Sequence, residues 1–181
     1  MSDAVRLWLF QTPVGTCGIA WNDVGVCAVS LPGPTADATR ERLVRHHPSA
    51  RETQPGRNIQ SAIDDINRLL AGERVDLSHI VLDESAQPDF NRRVYAIARA
   101  IPPGQTMTYG AIAKQLGDPL LAQRVGQALG RNPNPIITPC HRVLAANGKM
   151  GGFSAPGGAE TKHRMLLIER ALPDEPLDLF Q

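Results

Sequence analysis

Prolines and glycines divide this 181-residue chain into short segments, and they limit how long any helix or strand can run. Proline lacks a backbone N–H and glycine favours turns, so clusters of the two mark where regular structure ends. Such clusters are Pro13-Val14-Gly15, Pro32-Gly33-Pro34, Pro102-Pro103-Gly104, Gly117-Asp118-Pro119 and Pro133-Asn134-Pro135. The chain must therefore build its core from many short elements that pack together.

The first half predicts a small α+β unit. Three apolar or alternating runs with turn residues between them indicate an antiparallel three-strand meander: 5–10, 16–21 and 24–31. Two helices are expected at 35–45 and 58–71, the second of which has Ile59, Ile63, Ile66 and Leu70 at helical spacing. A short strand is expected at 79–82.

The second half is predicted to be mainly helical. The polar segment 83–88 is interpreted as a linker, which gives two domains, 1–84 and 85–181. Helices are expected at 89–100, 109–116, 120–129 and 159–171. Asp89 and Thr108 are the expected N-caps of the first two. The helices at 109–116 and 120–129, joined by a tight glycine turn, have the outline of a helix-turn-helix.

Composition indicates an ordinary globular protein, with 42% hydrophobic and 20% charged residues. No apolar run is long enough to span a bilayer and the N-terminus lacks a basic start, so we expect a cytoplasmic protein with no membrane partner. Its cysteines, Cys17, Cys27 and Cys140, form no CxxC pair. We therefore expect free thiols, no metal site and no cofactor.

Positive charge is concentrated in the second half of the chain. Residues 88–170 carry 11 Lys and Arg against 4 Asp and Glu, whereas residues 1–87 carry 8 against 11. A basic segment suits a nucleic-acid partner, whose counterions it can replace. The alternative is a charge pattern that only aids solubility.

Cys140 is the candidate nucleophile. It stands beside His141 after a proline-stiffened approach, and a neighbouring histidine or a local positive field lowers the pKa of a thiol. The sequence thus predicts a reactive thiolate, with His141 receiving its proton through water and Glu169 orienting the imidazole. The alternative is that Cys140 is a small buried apolar residue.

Ordered motifs in the second half give the chain a family resemblance. They are Phe90-Asn91-Arg92-Arg93-Val94-Tyr95, Ile101-Pro102-Pro103-Gly104, Thr108-Tyr109-Gly110, Val125-Gly126 with Ala128, Asn132-Pro133 with Pro135, Pro139-Cys140-His141-Arg142-Val143, and Lys162 with Leu166 and Glu169. In these motifs the chain resembles the O6-alkylguanine-DNA alkyltransferases, also called methylated-DNA–protein-cysteine methyltransferases. The match covers residues from about 88 to 170, and the first half matches only in outline.

The resemblance implies a fold and a reaction. The fold would be a small ribonuclease H-like N-terminal domain followed by a mostly helical domain with a winged-helix-like helix-turn-helix. Cys140 would accept the alkyl group of O6-alkylguanine in double-stranded DNA, irreversibly and once per molecule, after base flipping. O4-alkylthymine is a second candidate substrate. We expect a monomer.

The resemblance also implies the roles of the catalytic residues. His141 would act as the base and Glu169 would orient it. Asn132 would brace the turn before the active-site loop. Tyr109 would help to flip the base and would donate a hydrogen bond as guanine leaves.

Substrate and DNA contacts follow from the same resemblance. Pro135 and Phe153 would line the pocket, the carbonyl of Val143 would accept from guanine, and Ser154 is a candidate contact to O6. The arginine that replaces the flipped base in the family falls on Gln123 here, with Arg124 one residue later. The other expected DNA-contacting residues are Ala122, Gly126 and Arg131. The small side chains of Ala122 and Gly126 would allow close approach to a narrow groove; alternatively, they would serve helix packing.

Two other functions remain open at this point. One is a lesion-binding module that binds alkylated DNA without transferring the alkyl group. The other is a Cys-His hydrolase, which would turn over and would need an oxyanion hole.

Overall fold

A computed structural model describes residues 4–148 and 158–172 of the chain. Two predicted substrate contacts, Phe153 and Ser154, lie outside these ranges, as does the acidic tail at 173–181. The architecture is mixed α+β, in agreement with the expected fold class.

The N-terminal sheet contains the predicted meander. Strands β1 (Arg6–Thr12), β2 (Gly15–Trp21) and β3 (Val26–Ser30) pair antiparallel, and a two-residue strand β4 (Arg51–Glu52) pairs parallel to β1. The order across the sheet is β3-β2-β1-β4. The β1–β2 turn depends on Gly15, whose φ of 125° is a conformation that side chains rarely permit.

Two helices cover opposite faces of this sheet. Alternate strand residues point to opposite sides, so Leu7 and Ala20 pack with Leu43 of α1 (Ala36–His46), while Ile19 packs with Ile66 of α2 (Arg57–Leu70). The helical spacing of apolar residues in α2 is confirmed, since its buried positions include Ile63, Ile66 and Leu70. The result is a sheet between two helices.

The second half builds a separate helical cluster. Its elements are α3 (Asp89–Arg99), β5 (Met107–Thr108), α4 (Tyr109–Gln115), a 3-10 turn (Pro119–Leu121), α5 (Ala122–Gly130), a 3-10 turn (Cys140–Arg142), β6 (Val143–Leu144) and α6 (Gly158–Ile168). Strands β5 and β6 pair parallel. The predicted cap of α4 is confirmed, because Thr108 Oγ1 accepts from Ala111 N at 3.0 Å.

Several sequence-based boundaries are wrong, each for a local reason. The expected strand at 79–82 is reduced to one bridge between Leu82 and Val26. Strand β3 begins at Val26 because the side chain of Asn22 accepts from the N–H groups of Val24 and Gly25, which makes a turn. Asp89 is the first residue of α3, and Pro88 occupies its N-cap without a side-chain bond.

The two halves contact each other through the segment that leads to Cys140. Val29 N on the edge strand donates to Pro133 O at 2.9 Å, and Ile136 and Ile137 join the core cluster of α2. Arg99 donates to the carbonyls of Leu77, Ser78 and Ile80. The division into domains 1–84 and 85–181 stays a prediction. Across residues 4–148 and 158–172, no helix has the length and apolar character needed to span a membrane.

Candidate active site

A proline-rich turn positions Cys140. Asn132 holds the turn at both ends: its Nδ2 donates to Thr138 O at 2.9 Å and its Oδ1 accepts from Asn134 N at 3.0 Å. Pro133 and Pro135 have no N–H to donate, so the turn cannot become a helix. Ile136 has a φ of 76°, an uncommon and costly conformation for a β-branched residue, and burial in the core holds it there.

The chain then makes a tight turn at Cys140–Arg142, closed by a bond from Arg142 N to Pro139 O at 2.9 Å. This turn buries three chemically active side chains in a row: Cys140, His141 and Arg142 are 7%, 1% and 5% exposed. A regular strand would have sent these neighbours to opposite faces. The turn gathers them in one buried region beside α6.

A buried hydrogen-bond network joins His141, Arg142 and Glu169. His141 Nε2 lies 2.8 Å from Glu169 Oε1. Arg142 donates to the same carboxylate through two nitrogens, Nε to Oε2 at 2.8 Å and Nη2 to Oε1 at 2.7 Å. Its Nη1 donates to Ile101 O at 2.7 Å. Such two-point contacts fix both charge and orientation.

The charge states follow from this network. Burial alone would raise the pKa of Glu169, but hydrogen bonds from Arg142 and His141 outweigh it and lower the pKa to about 2. Burial lowers the pKa of His141, so the imidazole is neutral near pH 7. An ionised Glu169 only accepts hydrogen bonds, so Nε2 of His141 carries the proton. Its Nδ1 has no hydrogen-bond partner among the described residues and keeps a lone pair.

Cys140 is a buried thiol in the resting protein. Burial raises the pKa of Cys140, whereas a neighbouring histidine or a local positive field was expected to lower it. A hydrogen bond from Asn132, the positive charge of Lys162 and the N–H groups of Cys140 and His141 act in the opposite direction. The site therefore has the groups to stabilise a thiolate once the proton leaves.

Lys162 belongs to one of the family motifs, but no role was predicted for it from the sequence. It is 0% exposed, its Nζ donates to Val143 O at 2.7 Å, and it lies 5.8 Å from the centroid of the Tyr109 ring. Burial lowers the pKa of Lys162, and the nearby Cys140 opposes that shift. A lysine is rarely buried without a partner, and the signals in the sequence were its motif with Leu166 and Glu169 and its position two turns before Glu169.

Tyr109 is half-buried at the start of α4. Burial and then the neighbouring Cys140 raise the pKa of Tyr109, so its hydroxyl stays protonated and can donate. A side chain added at Gly126 of α5 would meet the Tyr109 ring at 3.8 Å. Ala128 is 3% exposed, and Ala122 packs against the same cluster. Ala128 and Ala122 thus take part in helix packing, and the DNA contacts expected of Ala122 and Gly126 stay predictions.

The remaining predicted residues divide between surface and interior. Gln123, Arg124 and Arg131 are exposed, and the Arg124 guanidinium lies 4.0 Å from the centroid of the Phe90 ring. Pro135 is buried. It lines a cavity of about 590 Å³ that also reaches Asn132 and Cys140.

The other two thiols are less suited to chemistry. Burial raises the pKa of Cys17 to about 11, and burial with the charge of Asp83 raises the pKa of Cys27 to about 11. Among residues 4–148 and 158–172, no group of three His, Cys, Asp or Glu could hold a metal ion.

Comparison with known proteins defines the class first. The model of the 6-O-methylguanine DNA methyltransferase DNA-binding domain matches residues 89–171, the range that carries both the helix-turn-helix outline and the Cys140 site. The second half is therefore a DNA-binding domain of the methyltransferase class.

Relatives that match along nearly the whole chain give the family. The methylated-DNA–protein-cysteine methyltransferase of Mycolicibacterium paratuberculosis is 39% identical over 170 residues, which cover 94% of this chain and 95% of the relative. The Mycobacterium bovis protein of the same name is 36% identical over 161 residues, 87% of this chain and 95% of its own. A crystal structure of Mycobacterium tuberculosis OGT in complex with DNA is similar with a TM-score of 0.74 and 31% identity, covering 96% of this chain and 97% of that one. The chain belongs to the methylated-DNA–protein-cysteine methyltransferase family.

Proposed function

We propose that this protein repairs alkylated DNA by direct reversal, with Cys140 as the acceptor of the alkyl group from O6-alkylguanine in double-stranded DNA. The observation that carries the proposal is the buried arrangement of Cys140, His141 and Glu169 within a chain of this family. A buried thiol next to a neutral imidazole with a free lone pair has a place to send its proton.

The reaction is one displacement at the alkyl carbon. Cys140 Sγ forms the new S–C bond as the bond from that carbon to O6 of guanine breaks. The thiol proton passes through a water to Nδ1 of His141, and Glu169 stabilises the imidazolium across its 2.8 Å hydrogen bond. Tyr109 donates to the guanine that leaves, and Lys162 stabilises the thiolate that forms. The product is a thioether, which water does not cleave, so each molecule reacts once.

Substrate binding is assigned to the surroundings of Cys140. Pro135 forms one wall of the proposed base pocket. The Val143 carbonyl, which accepts from Lys162, is the proposed acceptor for the exocyclic amine of guanine. Phe153 and Ser154 stay proposed contacts from the sequence.

The fold assignment extends to the DNA-binding elements. We assign residues 1–84 to a ribonuclease H-like domain and residues 85–181 to a DNA-binding domain with a winged-helix-like helix-turn-helix. Helices α4 and α5, joined through Gly117 at a φ of 101°, support the second assignment. Helix α5 then faces DNA, with Gln123 at the base-replacing position. We expect a monomer acting in the cytoplasm.

The test is stoichiometric reaction with O6-benzylguanine. One equivalent should add a single benzyl group to the intact protein, and peptide mapping should place it on Cys140 and not on Cys17 or Cys27. Cys140→Ser should take up none. Continued release of product, or a folded protein that gains no adduct, would exclude the transfer reaction and leave the hydrolase or the lesion-binding module.

A further inference from the structure

Leu120 is an exposed apolar side chain at the tip of the helix-turn-helix. It is 89% exposed, more than Val81 at 63%, Val24 at 56% or Leu167 at 37%, the other large hydrophobic residues exposed in the described part of the chain. Single exposed leucines are common, so exposure alone says little. Its position is the informative part.

The backbone fixes Leu120 in place. Asp118 Oδ1 accepts from Leu120 N at 2.9 Å, and Asp118 O accepts from Leu121 N at 3.1 Å. The 3-10 turn then continues directly into α5. A side chain held on such a rigid turn loses little backbone freedom when a partner covers it.

Leu120 shares one face with Gln123 and Gln127. The three are spaced i, i+3 and i+7, so they lie on the same side of the helix, and all three are exposed. The cation next to them, Arg124, is held over the Phe90 ring at 4.0 Å. The face formed by Leu120, Gln123 and Gln127, here called the α5 face, is thus uncharged, with a cation at its edge.

We infer that Leu120 is a DNA contact that packs against the sugars and base edges of the minor groove, next to the nucleotide that is flipped out. This inference rests on the proposed function, because it takes the α5 face as the surface that meets DNA. Phosphates attract cations, whereas an uncharged face suits the groove between them. Leu120 lies three residues before Gln123, in the 3-10 turn that leads into α5. Apolar side chains inserted in the minor groove help to unstack neighbouring bases.

The experiment compares Leu120→Ala, Leu120→Met and wild type, with Val81→Ala as an exposed apolar control away from α5. Rates of Cys140 alkylation are measured with free O6-benzylguanine and with a subsaturating duplex that contains O6-methylguanine. All four proteins should react equally with the free base. Leu120→Ala should react about fivefold to tenfold more slowly with the duplex, as expected for losing part of a buried leucine contact. Leu120→Met and Val81→Ala should match wild type.

The salt dependence separates an apolar contact from an ionic one. Leu120→Ala should bind undamaged duplex more weakly with an unchanged slope of log affinity against log salt, because no counterion release is lost. The inference would be overturned if Leu120→Ala reacted with the duplex at the same rate as wild type. An equal loss with the free base would also overturn it, since Leu120 would then support the fold. If wild type takes no benzyl group at all, the proposed function itself fails.

Discussion

Glu169 sets the charge balance of the buried site. It neutralises Arg142 and orients His141, and its own pKa is lowered to about 2 from an ordinary 4.5. A carboxyl whose pKa is lowered by folding stabilises the folded state at any pH above the pKa that it has in the unfolded chain. That stabilisation, about 3 kcal/mol for this shift, is lost as the pH falls from about 4.5 towards 2.

Glu169→Gln should therefore destabilise the protein by about 3 kcal/mol or more near pH 7, because the buried Arg142 loses its counter-charge. It should also slow benzylation of Cys140, since an amide does not stabilise an imidazolium. Urea unfolding at pH 7 and at pH 3 measures the first effect, and the difference between variant and wild type should shrink at the lower pH.

Glu160→Gln is the matched control, since Glu160 is exposed at the start of the same helix. It should change neither stability nor rate. If Glu169→Gln unfolds like wild type at pH 7, the assigned charge state of Glu169 is wrong.

Lys162 and Cys140 each favour the charged form of the other. Lys162→Met keeps an unbranched apolar stem and removes the charge, so the pKa of Cys140 should rise further. The pH profile of the benzylation rate should shift to higher pH. If the pKa of Cys140 rises by one unit, the rate near neutrality should fall about tenfold.

Lys114→Met provides the comparison, because Lys114 is exposed on α4. Its pH profile should overlay that of wild type. A Lys162→Met profile that is lowered equally at every pH would point to a purely structural role through Val143.

Helix α5 presents Gln123 to solvent at the position where an arginine is expected, while Arg124 is held by Phe90. Gln123 is shorter and uncharged, so it should fill the space of a flipped base less well. We predict that Gln123→Arg increases the repair rate of duplex O6-methylguanine severalfold and leaves the rate on a short single strand unchanged.

Gln127→Arg adds the same charge one turn further along the exposed side of α5. If it raises the duplex rate as much as Gln123→Arg does, the effect comes from charge and not from the base-replacing position. Equal duplex rates for wild type and Gln123→Arg would contradict the assignment.

Elements with a clear period could be predicted from the sequence, and those set by distant partners could not. The meander and α2 follow from alternating and helical apolar spacing. Strand β4 has only two polar, exposed residues, so no local pattern marks it. The segment at 79–82 has strand composition, but it meets β3 at a single bridge.

The whole molecule joins a sheet-based half to a basic, helical half across the segment at 132–140. Pairing of His141 with Glu169 could be proposed from sequence, because both belong to recognisable motifs. The hydrogen bonds from Arg142 to the same carboxylate and the burial of Lys162 could not be predicted. Both depend on a turn and on helix packing, which residue spacing does not reveal. The raised pKa of Cys140 could not be predicted, because burial outweighs the hydrogen bond from Asn132 and the charge of Lys162.

The most direct test is a titration of the protein with a duplex that carries one O6-methylguanine with a labelled methyl group. We predict that transfer stops at one methyl per chain, that the label is found as S-methyl on Cys140, and that the DNA returns with unmodified guanine. More than one methyl removed per chain, label released to solvent, or label on any other residue would contradict the account.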